Sequence, residues 1–271
     1  MANVILKKAI EIVRASLDGS LGDIVIDRVA TGRFFTGVKL STGHAGACAS
    51  PVNQHPDAAG WLGPAIADEL RGCRADDLLE GAVEQVGMRR TIGIATLNAL
   101  AQMATQTRIA NGFEVVEGLD AFKAADVRAD ETVVVVGAFV SFLRTLREIG
   151  ARHWVLEKDP STLQPHEMPY FREAERAPEI VPMADVLMIT GTTLANDTLG
   201  ELMALARPSA RIAVVGPTVT MIPEAFFERG CCILGGIKVT DPDSFLDIVA
   251  EGGAGHHFFG RSAVKVAFRK H

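Results

Sequence analysis

Asp185-Val186-Leu187-Met188-Ile189-Thr190-Gly191-Thr192-Thr193-Leu194-Ala195-Asn196-Asp197 is the stretch whose reading decides the fold. Its apolar opening, Asp185 to Ile189, reads as a buried parallel strand. A helical pattern follows from Thr198 to Ala206. A strand that runs through a Gly/Thr turn into a helix presents backbone N–H groups and hydroxyls at its carboxyl end, where open α/β sheets bind ligands. The same rhythm recurs on both sides. Val133 to Val136 is an apolar strand closed by Gly137, and Phe139, Phe142, Leu143, Leu146 and Ile149 mark one helix face. His153 to Leu156 is a second strand, ending in Glu157-Lys158-Asp159-Pro160, and Glu179-Ile180-Val181 is the candidate third. Arg211 to Val215 ends in Gly216-Pro217-Thr218; Cys231 to Leu234 ends in Gly235-Gly236. Asp241-Pro242 starts a helix, and Ala263 to Phe268 alternates as an edge strand would. This predicts a doubly wound sheet in the order 3-2-1-4-5-6, with Gly137, Glu157, the Thr190 turn, Pro217 and Gly236 facing one crevice.

The leading part of the chain has a different grammar. Leu6, Ile10, Val13 and Leu17 give an amphipathic first helix. Asp23 to Asp27 and Phe34 to Leu40 read as an antiparallel pair joined near Thr31-Gly32-Arg33, and the small, polar Ser41–Pro51 segment carries a third strand and a loop. Short helices are expected near 66–70 and 76–81, then a long Ala-rich helix from Arg89 to Ile109, where Ala95 and Ala99 allow close approach and Asn111-Gly112 ends the run. The expected organisation is an α+β domain over 1–113 followed by a Rossmann-like α/β domain over 114–271, built on a mostly parallel sheet.

Composition sets limits. The chain has 271 residues, 48% hydrophobic and 22% charged, with net charge −6. Such a chain buries a sizeable core, and with no Lys/Arg-rich tract it argues against nucleic acid as a partner. No apolar run reaches the roughly 18 residues of a membrane span. Basic residues follow rather than precede the apolar ones at the N-terminus, unlike a signal peptide, so the expected compartment is the cytoplasm. Cys48, Cys73, Cys231 and Cys232 have no framework spacing and read as free thiols.

The candidate chemistry has a structural reading beside each functional one. Glu157, about 20 residues past Gly137, is where a Rossmann domain holds ribose hydroxyls. Gly137-Ala138-Phe139-Val140 puts side chains where a pyrophosphate needs bare backbone, which argues against NAD and leaves an adenosylmethionine-like nucleoside open. Thr190, Gly191, Thr192, Thr193 and Asn196 offer several donors to a carboxylate or phosphate, or cap the next helix. His44, Cys48 and His55 offer imidazole and thiolate to a transition metal, though without any metal-motif spacing. His256-His257 reads as surface, and Arg33 as a turn residue with an anion contact as the alternative. Thr96 and Asn98 either cap a neighbouring loop or face a cleft. Phe226, Phe227, Phe258 and Phe259 serve the core or a dimer surface, and a homodimer is the default assembly.

The string from Asp185 to Asn196, with Val215-Gly216-Pro217-Thr218, Gly235-Gly236, Ile94-Ala95-Thr96-Leu97-Asn98-Ala99-Leu100 and the Gly43–Pro51 loop, resembles the heavy-metal chelation family of unknown function. The resemblance implies an enolase-N-terminal-like domain before the Rossmann-like one, a site between them, and a role in making or handling a pterin-, flavin- or siderophore-like chelator. It places Asn98, Glu157, Thr190, Thr192, Thr193, Asn196 and Pro217 near that site, beside the strand-end glycines Gly137, Gly191 and Gly216. Two functions follow as expectations. One is binding, or turnover by transfer, condensation or hydrolysis, of a small anionic or heterocyclic molecule, with Glu157 as the candidate general base. The other is direct metal handling through His44, Cys48 and His55 without catalysis.

Overall fold

A computed structural model describes residues 2–51, 68–84, 87–107 and 112–271. The first helix spans Ala2–Ser16 and buries Leu6, Ile10 and Val13, the stripe expected from their spacing, with Leu17 buried just beyond it. Strands β1 (Ile26–Thr31), β2 (Phe35–Leu40) and β3 (Ala45–Ala49) form an antiparallel meander. Asp23 belongs to a preceding 3₁₀ turn, so β1 starts later than expected. Helices Ala75–Glu84 and Met88–Thr107 follow. The second shows no single apolar stripe because Ile94, Leu97 and Leu100, as well as Ala95, Ala99 and Ala101, are all buried. Its small residues let β3 lie against its backbone. A methyl on Gly46 would fall 2.3 Å from the Ala99 nitrogen and 2.4 Å from the Ala95 oxygen. The 66–70 helix expectation falls partly outside the described residues, as do Asn111 and His55.

The second part is an eight-stranded mixed sheet. It contains β4 (Phe113–Glu117), β5 (Thr132–Val136), β6 (Arg152–Glu157), β7 (Phe171–Glu173), β8 (Val186–Thr190), β9 (Arg211–Val215), β10 (Cys231–Val239) and β11 (Ala263–Lys270). The order is β4-β11-β10-β9-β8-β5-β6-β7, parallel from β7 to β10. The six strands from β7 to β10 reproduce the expected 3-2-1-4-5-6 winding, and the chain reverses between β5 and β8.

Three elements differ from expectation. The third strand is Phe171–Glu173; Glu179 and Ile180 lie in a helical turn, Ala177–Ile180, which Pro178 opens at a position that needs no N–H donor. Gly235-Gly236 does not end a strand, because β10 runs through both. There the sheet is crowded: a methyl on Gly235 would sit 2.4 Å from the Ala121 Cβ, and one on Gly236 2.6 Å from the Thr220 hydroxyl. Finally, β11 is an inner strand, antiparallel to both β10 and β4, so β4 takes the edge.

The two faces of the large sheet bury different partners. Val133, Val135, Val186 and Met188 pack with Phe122 and with the helix Val140–Glu148. Val134, Leu187 and Val214 pack with Leu6, Ile94 and Leu100, so the leading part of the chain covers the opposite face in one continuous core. Phe226, Phe227 and Phe258 are buried and Phe259 is partly covered, which assigns these rings to packing rather than to a surface. Helix Pro242–Ala250, capped by the Asp241 carboxylate accepting from Ser244 N, packs on β1 and β2. No helix among the described residues is long and apolar enough to cross a membrane.

Candidate functional site

At the carboxyl ends of β5, β6 and β8 lies a cleft of about 670 Å³, within the range of small-molecule sites. Its walls come from both parts of the chain. The sheet supplies Val136, Gly137, Ala138, Leu156, Glu157 and Lys158. The β8 turn supplies Thr190, Thr192, Thr193 and Asn196, and helix Leu199–Leu205 adds Glu201, Leu202 and Leu205. Ala174, Ala177 and Pro178 close one side, and Arg33, Phe34, Ala49 and Ser50 of the β1–β2–β3 meander close the other. The lining is an aliphatic floor with charged, hydroxyl and amide groups around it.

The β8 turn is internally satisfied to a large degree. Gly191 N donates to the Val215 oxygen at 2.7 Å, fixing the turn on β9. Thr190 Oγ1 donates to Thr192 Oγ1 at 3.2 Å, and Thr193 Oγ1 donates to the Thr190 oxygen at 2.6 Å. Thr193 is buried, so its hydroxyl serves the turn. Asn196 Oδ1 accepts from Thr198 Oγ1 at 2.7 Å, which leaves its amide NH₂ as the group it can offer. Gly137, at φ +102°, has the Thr190 side chain 3.1 Å from where a Cβ would stand, so the two turns touch. Glu157 Oε1 accepts from the backbone N–H groups of Lys158 and Asp159 at 2.7 and 3.2 Å. Its carboxylate is thereby held at the end of β6, with the second oxygen uninvolved in that turn.

Behind the turn sits a buried arginine that the sequence reading did not single out. Arg90, on helix Met88–Thr107, donates from Nη2 to the Leu194 oxygen at 3.1 Å and lies 3.7 Å from an Asp197 carboxylate oxygen. Burial lowers its pKa and the Asp197 charge opposes that shift. The backing of the β8 turn is thus a cation supplied from the other part of the chain.

Several expected site residues are elsewhere. Asn98 does not line the cleft. It is buried, and its Nδ2 donates to the oxygens of Ala47 at 2.7 Å, Thr218 at 2.9 Å and Pro217 at 3.3 Å, which makes it a strut between β3 and the turn after β9. Gly216 and Pro217 lie in that turn, behind Gly191. Thr96 is buried and returns its hydroxyl to the Ile92 oxygen. His44 and Cys48 are not brought together: they are four residues apart along one extended segment, roughly 13 Å at a strand's rise. Burial also pushes the Cys48 thiol up to about 12. Among the described residues no three His, Cys, Asp or Glu side chains cluster as a metal set would need, and His55 lies outside them. His256 and His257 are exposed on a short helix.

Phe34, Lys158 and Glu201 line the cleft and were missed. Adjacent Phe34 and Phe35 carried a signal, because neighbouring side chains in extended backbone point oppositely and only one could enter the local core. Phe35 packs with Phe258, their rings 5.6 Å apart; Phe34 turns to the cleft.

Comparison with known proteins follows the same two-part division. Two family models, each described as "putative heavy-metal chelation", match residues 14–101 and 120–268, the second covering more than half of the chain. The chain is similar along its whole length to a protein of unknown function from Desulfitobacterium hafniense DCB-2, with 22% identity, TM-score 0.72 and 97% and 99% of the two chains covered. It is similar to one from Pyrococcus horikoshii with 19% identity, TM-score 0.75 and 98% and 99% covered. Both solved structures belong to the family of the second model, and at these identities they show the fold alone. An uncharacterized protein of Methanocaldococcus jannaschii is 30% identical over 161 residues, 59% of this chain and 58% of that relative's length.

Proposed function

The chain belongs to the heavy-metal chelation family, and on that premise we propose that it binds a small organic molecule in the cleft between its two parts, in the synthesis or handling of a metal chelator. The observation that carries this reading is the convergence on one 670 Å³ cleft of Gly137, Glu157, Thr190, Thr192 and Asn196 from the sheet with Arg33, Phe34 and Ser50 from the meander. Three successive strand ends at the point of chain reversal and a roof from a separate layer are the arrangement in which α/β proteins hold ligands. Glu157 would accept hydrogen bonds from hydroxyls of a sugar-like group, the Thr192 hydroxyl and Asn196 amide would hold a carbonyl or acid group, and the aliphatic floor would cover an apolar body. If turnover occurs, Glu157, at the end of β6, is the candidate general base, with Glu201 the other carboxylate lining the cleft.

Calorimetric titration of the full chain with adenosylmethionine, pterins and metal-free chelators tests the reading, with Glu157→Gln and Thr192→Val as the informative variants. Binding at one site, weakened at least tenfold by either change, is the expected result. A ligand held as tightly by both variants as by the parent would remove the cleft from consideration.

A further inference from the structure

The β1–β2 hairpin carries three basic side chains, and the structure treats one differently. Arg28 and Lys39 are paired with acids of helix Pro242–Ala250: Arg28 with Asp247 at 2.7 Å and Lys39 with Asp243 at 2.8 Å. Arg33, at the hairpin tip, has no acidic partner among the described residues and lines the cleft. Its guanidinium carbon lies over the Phe34 ring, 5.5 Å from the centroid, while Phe34 remains 46% exposed at the same wall. Lys158, across the β6 end, is likewise without an acid partner among the described residues.

This tip is also held in place. A methyl on Gly32 would lie 1.9 Å from the Val249 oxygen, so the turn is pressed against helix Pro242–Ala250. Gly32 N donates to the Phe35 oxygen at 2.9 Å, and Ser50 N donates to the Phe34 oxygen at 2.9 Å. A fixed backbone that presents a half-exposed ring and a guanidinium with no acid partner among the described residues to a cavity is preorganised for a partner with complementary features. The ring offers a stacking face; the guanidinium offers planar, bidentate donors to a carboxylate or phosphate.

We infer that the ligand class is a planar heteroaromatic ring bearing an acidic arm, with Phe34 stacking on the ring and Arg33, assisted by Lys158, binding the acid. This rests on the ligand reading of the cleft and deepens it, making the leading part of the chain the specificity element. Glu157 then takes the hydroxyl-bearing portion between ring and acid.

Adenosine 5′-monophosphate, adenosine and ribose 5-phosphate separate these features. In calorimetric titrations of the full chain, the monophosphate binds more tightly than either fragment. Arg33→Gln weakens the monophosphate by about tenfold or more and leaves adenosine within about twofold. Phe34→Ala weakens adenosine and the monophosphate by a similar factor, on the order of tenfold, and leaves ribose 5-phosphate unchanged. Both side chains are at the surface of the cleft, so thermal midpoints matching the parent confirm intact folding. If Glu157→Gln weakens binding while Arg33→Gln and Phe34→Ala do not, the cleft stands and this inference falls. If no probe binds at millimolar concentration, the ligand class is wrong.

Discussion

Replacing Asn98 with alanine should cost stability, and the amount can be worked from its hydrogen bonds. The side-chain amide has two protons directed at three carbonyls, with the short contacts at 2.7 Å to Ala47 and 2.9 Å to Thr218. Pro217, at 3.3 Å, shares one of them. A buried carbonyl that loses its donor costs about 1–3 kcal/mol, so two orphaned carbonyls put the loss at about 2–6 kcal/mol. That is a large part of the roughly 5–15 kcal/mol that holds a typical domain folded. Asn98→Asp should be at least as damaging, since it sets a carboxylate oxygen where the donor stood. Urea unfolding at 25 °C, followed by far-UV circular dichroism with the slope checked for constancy, measures the change. A loss below about 1 kcal/mol for Asn98→Ala would refute the strut. If the same variant also lost ligand affinity, the cleft would have to extend to Asn98.

Gly46→Ala should destabilise by about 1–3 kcal/mol or more, because the added methyl meets helix backbone that cannot yield; chemical denaturation checks it. His153 is buried against Tyr170, and burial lowers its pKa from the ordinary value. The unfolded chain therefore takes up the proton first, so this contribution is complete above the unfolded pKa, near 6.5, and is lost as pH falls toward the lower folded value. His153→Phe should flatten the thermal midpoint against pH in that window. Burial pushes the thiols of Cys48 and Cys231 up to about 12, while Cys73 and Cys232 are partly exposed. At pH 8 a thiol reagent should label Cys73 and Cys232 in the native protein and reach Cys48 and Cys231 after denaturation; mass mapping reads the difference.

Much of the sheet was legible because β5, β8 and β9 are short apolar runs ending in Gly or Thr, and such runs can do little other than lie inside a parallel sheet. The third strand was hidden because Phe171-Arg172-Glu173 is too brief and too polar to stand out, while Ile180 and Val181 are apolar for the sake of the core beneath them. The edge role of the Ala263–Lys270 strand was misjudged for a different reason: alternation reports which faces are buried, and says nothing about neighbours in the plane. On the cleft, the strand-end residues could be read from position, since topology alone brings Gly137, Glu157 and Thr190 to one edge. Arg33 reads there first as a turn residue, with an anion contact only as the alternative, and Phe34 was missed despite its doublet with Phe35, because their place at the cleft depends on how one layer docks on the other. Asn98 looked the same in sequence whether it served ligand or backbone, and only its three acceptors distinguish the two.

The shared core has a consequence for heredity as well as for folding. Leu6, Ile94 and Leu100 lie in the same apolar cluster as Val134, Leu187 and Val214, and Arg90 braces the turn at Leu194 from below. A gene segment encoding the sheet alone would carry off half of an interior and a cleft without its roof. Recombination that trades such halves between relatives must therefore match both surfaces at once.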